Sequence, residues 1–182
     1  MTKKCLIISN GPVPTPENTK VEGGGLRCWG LAKGITANKS NIKVTVAYNE
    51  SYKQDSFTDK FEDIDIALWN INTVSELLAG FDTVIVSYCM GDLSTMVANT
   101  LRPDQQLILD CYVPIYVEAS ARETNDLANE YYAFSGDVGR WAEVLKRGDY
   151  FLCAREQQKN YCFGVLSAVG KINPATYGQD LI

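Results

Sequence analysis

CLIISNGPVPTPENTKVEGGGLRCWGLAKGITA, residues 5 to 37, decides the fold. The stretch Lys4 to Ser9 is a continuous apolar run, the pattern of a strand buried on both faces. Asn10 to Val21 follows as a long loop. Pro12, Pro14 and Pro16 exclude helix and inner strand there, because they lack N–H groups and restrict the residues before them. Glu22-Gly23-Gly24-Gly25-Leu26-Arg27 then opens a helix running from about Leu26 to Ala37. Its expected buried face is Cys28, Leu31, Ala32 and Ile35, spaced i, i+3, i+4, i+7. Gly30 and Gly34 fall on another face. The three consecutive glycines admit two readings. They leave amides at a helix N-terminus unshielded, with the helix dipole and Arg27 adding positive charge, which makes a seat for a phosphate or another anion. Alternatively, they only let the chain turn sharply.

The rest of the composition narrows the class. With 182 residues the chain is long enough to bury a real core as one domain. Apolar residues make up 46% and charged residues 21%, an ordinary globular balance and not a disordered one. A net charge of −5 argues against a nucleic-acid binder, which needs a basic face. No apolar run approaches the roughly 20 residues of a membrane span. The apolar run near the N-terminus is too short for a signal peptide, so a cytoplasmic location is the default expectation. There is no histidine, and none of the six cysteines forms a Cys-x-x-Cys pair. The usual zinc sites, a Ser-His-Asp triad and a Cys-His pair are therefore not expected within this chain. Cys5, Cys28, Cys89, Cys111, Cys153 and Cys162 mostly sit in or beside apolar runs, where a reduced thiol packs as a small hydrophobe.

Further along, strands alternate with helices. Lys43 to Asn49, Ile64 to Trp69, Asp82 to Cys89, Gln106 to Tyr112 and Asp149 to Ala154 read as strands. Glu50 to Asp63 reads as loop. Asn72 or Thr73 can cap a short helix that ends at Leu78-Ala79 with Gly80 just past it, and another helix runs from Asp92 or Ser94 to just before Pro103. Leu127, Tyr131 and Phe134 share one helical face. Ser135-Gly136-Asp137 reads as an interruption, with Asp137 capping a second helix that buries Val138, Trp141 and Leu145. A final helix spans about Ala154 to Val169. This alternation predicts an α/β fold: a doubly wound, Rossmann-like three-layer sandwich. Its sheet is mostly parallel, with about six strands in the order 3-2-1-4-5-6. Right-handed crossovers bring the C-terminal ends of parallel strands to one edge. Asn10, the glycines, Tyr88, Gly91, Asp110, Tyr112, Arg155 and Glu156 fall near that edge, where ligands bind in such folds. A dinucleotide fingerprint is not met. It needs glycine where Cys28 stands, and it needs the glycines directly after the strand.

Three places carry a resemblance. One is the proline loop leading to Gly23-Gly24-Gly25-Leu26-Arg27. The second is Leu109-Asp110-Cys111-Tyr112-Val113-Pro114. The third is Phe151 to Tyr177, with its Arg155-Glu156-Gln157-Gln158 helix start and closing Gly170-x-x-Asn173-Pro174. Together they resemble the N-terminal half of a GT-B-fold, group 1 glycosyltransferase, the retaining type that uses a nucleotide sugar. The resemblance implies one Rossmann-like, acceptor-side domain over 1–182. The nucleotide-binding C-terminal domain would lie outside this chain, in cis, and the chain alone would be inactive. It implies a nucleotide-sugar co-substrate, an unidentified acceptor, and no cofactor or metal. Gly23, Gly24, Gly25 and Arg27 are implied at the donor's phosphates or sugar. Asp110 is the candidate for a catalytic polar contact. Asn10, Tyr88, Tyr112, Glu118, Arg155 and Glu156 are implied on the acceptor side or cleft. Many members of the group carry a histidine near the reacting sugar, and this chain departs from them there. A non-catalytic Rossmann-like domain binding a small ligand or a partner is the alternative. Tyr112, Tyr116, Tyr131, Tyr132 and Phe134 would then supply apolar contact or core.

Overall fold

The computed structural model describes residues 2–18, 20–38, 41–121 and 123–182. Its strands are β1 (Lys3–Ser9), β2 (Ile42–Asn49), β3 (Lys60–Phe61), β4 (Ile64–Trp69), β5 (Thr83–Ser87), β6 (Gln106–Asp110) and β7 (Tyr150–Leu152). Its helices are α1 (Gly23–Ala37), α2 (Val74–Leu78), α3 (Asp92–Thr100), α4 (Ile115–Ser120), α5 (Leu127–Arg147) and α6 (Glu156–Ala168). The sheet has seven strands in the order β3-β4-β2-β1-β5-β6-β7. Without β3 this is the expected 3-2-1-4-5-6 arrangement, an α/β, Rossmann-like fold. The expectation of six strands missed β3, a two-residue strand antiparallel to β4. Glu62 and Asp63 make the turn between them at φ 48° and 62°, the left-handed values that a two-residue hairpin loop requires.

The chain forms two compact units. The first holds Met1–Val86 and Thr100–Gln106. β1 lies parallel to both β2 and β5, and β2 lies parallel to β4. The apolar runs that predicted these strands account for the core: Leu6, Ile7, Ile8, Val46, Ile64 and Val84 are buried. α1 packs against β1, β2 and β4. It starts at Gly23, earlier than the spacing predicted, and its buried line is Gly25, Trp29 and Ala32. Cys28, Leu31 and Ile35 are only half-buried, so the helix is rotated from the expected face. The cause is Trp29, whose ring is buried and stacks on Phe61 of β3 with centroids 5.7 Å apart. Gln105 ties the segment before β6 to the end of α2. Its buried amide donates to the carbonyls of Leu78 (2.8 Å) and Phe81 (2.6 Å).

The second unit holds Ser87–Asn99 and Leu107–Ile182. β6 and β7 run parallel, with Asp110 opposite Leu152. The Phe151 amide, on the other edge of β7, donates to the Leu181 carbonyl at 2.8 Å. α5 is one continuous helix of 21 residues, not two. Ser135 does not break it: its hydroxyl bonds back to the Tyr131 carbonyl at 2.9 Å. Asp137 does not cap a second helix either; it pairs with Arg140 one turn on. Packing supplies what propensity lacks. Trp141 meets Tyr116 of α4 edge-on at 5.1 Å and Phe134 at 6.3 Å. The true cap is Asp126, which accepts from the Asn129 amide at 3.1 Å.

Candidate functional site

The candidate residues fall into two groups, one in each unit. In the first unit, β1 delivers the chain into an ordered loop. The Ser9 hydroxyl donates to the Gly11 carbonyl at 2.8 Å, and the Ser9 carbonyl accepts from the Trp69 indole at 2.8 Å. Asn18 holds the loop from inside, donating to the Val13 carbonyl and to the Thr15 hydroxyl, both at 2.9 Å. Glu17 ties it to the segment before β3, accepting from the Thr58 amide (3.0 Å) and hydroxyl (2.9 Å). Burial acts to raise the Glu17 carboxyl. The hydrogen bonds from the Glu17 and Thr58 backbone and from the Thr58 hydroxyl outweigh it and leave the group below the usual carboxylate range.

This loop ends at the N-terminus of α1. Glu22 stands at the N-cap position in extended conformation, and its side chain makes no capping bond. The amides of the first turn are therefore not consumed by a capping side chain. The three glycines differ in what surrounds them. Gly23 is exposed, and an added Cβ there would meet nothing within 4 Å. Gly25 is buried, and the Pro12 carbonyl fills the place its Cβ would take. Gly25 is thus needed for close packing of the loop on α1. Arg27 follows, half-buried, and the Cys28 thiol donates to the Ile8 carbonyl at 3.8 Å. A cavity of about 470 Å3 opens beside this N-terminus, lined by Pro12, Glu17, Asn18, Lys20, Val21, Glu22, Tyr52 and Gln54. Asn10 is exposed just after β1 and is not part of that lining.

In the second unit, Tyr88 is buried. Its hydroxyl donates to the Val113 carbonyl at 2.9 Å and accepts from the Ile115 amide at 3.2 Å, so it pins the segment that starts α4. Burial pushes its phenol well up. Asp110 is buried at the end of β6, where its charge helps raise the thiols of Cys89, Cys111 and Cys153. The Tyr112 carbonyl accepts from the Gln158 amide at 2.5 Å, and the other end of Gln158 accepts from the Ala154 amide at 3.0 Å. Glu118 is exposed on α4. Arg155 and Glu156 are exposed at the start of α6, which has no side-chain cap. The structure thus gathers Tyr88, Asp110 and Tyr112 around the end of β6 and leaves Glu118, Arg155 and Glu156 on the surface.

Sequence reasoning missed two things here: the Pro12 carbonyl against Gly25 and the Gln158 bridge. Of these only Gln158 had a local signal, as a polar residue in the first turn of a helix. Among the described residues no group of His, Cys, Asp and Glu is arranged to hold a metal ion, and no helix is long and apolar enough to cross a membrane.

No family model matches the chain, and no curated protein matches it. Several solved structures share its layout at low identity. One is an alpha-glucosyltransferase in complex with UDP and a 13-mer DNA containing a central A:G mismatch, at 11% identity and TM-score 0.49, covering 84% of this chain. This chain spans 37% of that protein's length. Another is the C-terminal domain of the Coenzyme A biosynthesis bifunctional protein CoaBC, at 11% identity and TM-score 0.42, covering 93% of this chain and 94% of that one. A third is the glycotransferase of kitacinnamycin, at 11% identity and TM-score 0.37, covering 96% of this chain and 36% of that one. Glycosyl-transferring and coenzyme-biosynthetic proteins thus stand side by side among the matches, and likeness at this level assigns no activity.

Proposed function

We propose that this chain is the acceptor-side, Rossmann-like half of a glycosyltransferase that moves a sugar from a nucleotide-sugar donor to an acceptor hydroxyl. A nucleotide-binding half outside these residues completes the enzyme. The observation that carries the reading is the uncapped N-terminus of α1, which starts beyond the C-terminal end of β1. β1 lies between β2 and β5, and the chain leaves it toward β2 while β5 leads on toward β6, so this is where the strand order reverses. Ligands of open α/β sheets bind at such points.

The chemistry asks for what this terminus offers. The acceptor oxygen bonds to the anomeric carbon, the bond from that carbon to the diphosphate oxygen breaks, and the acceptor proton is lost. The electron pair leaves on the diphosphate. The Gly23 and Gly24 amides, the positive end of the α1 dipole and Arg27 stabilise that leaving charge. Gly25 holds the loop in place, and Asp110 supplies a buried carboxylate at the acceptor end of its own unit. One observation favours the alternative of a non-catalytic small-ligand domain: Glu17 and Glu22 both line the cavity beside α1. Carboxylates there suit a neutral polyhydroxyl ligand better than an anion.

Inorganic pyrophosphate, titrated calorimetrically, separates the two. Gly23 has open space, so Gly23→Asp places a carboxylate at the bare amides without a clash. It should weaken pyrophosphate binding about tenfold, equal to about 1.4 kcal/mol. Gly34→Asp, about 16 Å along the same helix, should leave binding unchanged. Absence of pyrophosphate binding in the wild type, or equal affinity in both variants, would sink the phosphate assignment.

A further inference from the structure

One apolar seam runs the length of α5: Leu127, Tyr131, Phe134, Val138, Trp141 and Leu145. Its steps of four and three residues alternate strictly, the heptad pattern of a helix packed along another helix. Burial changes along it. Trp141 and Leu145 are buried, Phe134 and Val138 are half-buried, and Tyr131 and Leu127 are 71% and 77% exposed. α4 covers part of the seam, with Tyr116 edge-on to Trp141. It has six residues, about 9 Å of helix, against about 30 Å for the 21 residues of α5. The first two turns of α5 therefore carry the seam past its cover. Val117 of α4 is 60% exposed, and Tyr132 stands exposed beside Tyr131. Single exposed apolar residues are ordinary. A seam that is core at one end and bare at the other is a helix interface left half filled.

We propose that this face docks a basic amphipathic helix of another protein. The heptad spacing asks for a helix, because a seam of this period is filled by side chains from a second seam of the same period. The charge around it asks for a basic one. Residues 115–139 hold five carboxylates, Glu118, Glu123, Asp126, Glu130 and Asp137, and one basic residue, Arg122. Asp137 is paired with Arg140. Glu118, Glu123 and Asp126 are exposed, and among the described residues none of them is in an ion pair. Lysines or arginines beside the incoming seam would meet them. A second copy of this chain would bring the same carboxylates against their own kind, and an anionic lipid surface would meet a like charge.

The two flanks of the bare seam differ. Glu130 and Asp137 stand one residue before Tyr131 and Val138, on the acidic flank. Ala128 and Ser135 stand one residue after Leu127 and Phe134, on a flank of small side chains that lets a second helix approach closely. The docking face lies within the second unit and shares no residue with the α1 terminus, so it stands or falls apart from the glycosyl-transfer reading.

The test uses the full chain and a fluorescein-labelled synthetic peptide about three heptads long, with leucine at the seam positions and lysine on both flanks. Repulsion between lysines keeps the peptide from pairing with itself. Fluorescence anisotropy at low salt should show saturable binding with a dissociation constant on the order of 10 μM. Leu127→Ser and Tyr131→Ser keep the net charge and alter side chains that face solvent, so both should fold as the wild type does. Each should weaken binding about tenfold, whereas Tyr177→Ser, at another exposed tyrosine, should leave it unchanged. A peptide with glutamate in place of lysine should bind at least about tenfold more weakly. Equal affinity in wild type, Leu127→Ser and Tyr131→Ser would reduce the binding to plain charge attraction, and equal affinity for the glutamate peptide would remove the basic partner. Either result overturns the proposal, as does absence of binding. Sedimentation velocity and flotation with phosphatidylcholine vesicles close the other routes: a dimer, or vesicle binding, that Tyr131→Ser abolishes would give the face to a second copy or to a lipid surface instead.

Discussion

Gly25→Ala offers a stringent test of how the proline loop is seated on α1. In an ordinary helix the exchange is favourable, since alanine gains up to about 1 kcal/mol over glycine. Here the new Cβ overlaps the Pro12 carbonyl oxygen outright and stands 3.0 Å from its carbon and 3.2 Å from Val21 Cγ1. The blocking group is backbone, in a loop already fixed by Asn18 and Glu17, so no side-chain rotation relieves it. Overpacking of this kind costs about 3 kcal/mol or more. After the gain in propensity, the variant should be less stable than wild type by at least about 2 kcal/mol. Gly30→Ala in the same helix is the control. Gly30 is exposed with nothing within 4 Å of an added Cβ, so that exchange should stabilise by about 0.5 to 1 kcal/mol. Urea unfolding followed by far-UV circular dichroism reads both, with the midpoints moving in opposite directions at equal slope. If Gly25→Ala matches or exceeds Gly30→Ala in stability, the Pro12 carbonyl does not sit where the structure places it.

Two further predictions concern buried polar groups. Gln105→Leu removes the donor to the Leu78 and Phe81 carbonyls and the acceptor for the Arg102 amide, and should cost about 2 to 3 kcal/mol in urea unfolding; a loss under half of that would show that the three groups find other partners. The Cys162 thiol titrates near 7 in the folded chain against an ordinary 9.0, a lowered acid, so its contribution to stability is full above pH 9 and is lost as the pH falls through 7. Wild type should therefore gain stability over Cys162→Ser between pH 7 and pH 9, with thiolate absorbance rising across the lower part of that window, and a pH-independent difference would refute the assignment.

What the sequence made legible was set by the range of the cause. β1, β2, β4, β5 and β6 each follow from a local apolar run, and their order follows from alternation and crossover handedness. β3 escaped because two residues carry no period; only the stacking of Phe61 on Trp29, distant in sequence, marks it. The rotated face of α1 has the same origin. α5 was split at Ser135-Gly136-Asp137 because those residues disfavour helix, yet Trp141, packed on Tyr116 and Phe134, outweighs them. The uncapped α1 terminus was readable from its glycines. That Gly25 serves the loop was not readable, because the deciding atom belongs to Pro12. The cysteines read as packing hydrophobes, which describes Cys5 well. That Cys111, Cys153 and Cys162 shift one another's titration depends on register and on where α6 folds back, and no local spacing encodes either.

The small hairpin and the Leu181 contact have a consequence for how this protein behaves in a crowded solution. An open sheet ends in rows of unpaired amides and carbonyls that invite a strand from another molecule. On one side, β3 turns back on β4 and offers only two residues, with Lys60 and Asp63 putting charge beside them. On the other, Leu181 already occupies the outward amide of Phe151. Shortening the chain before Leu181 would bare the β7 edge and give a stray strand a template, so a truncated version should clump at concentrations where the full chain stays dispersed.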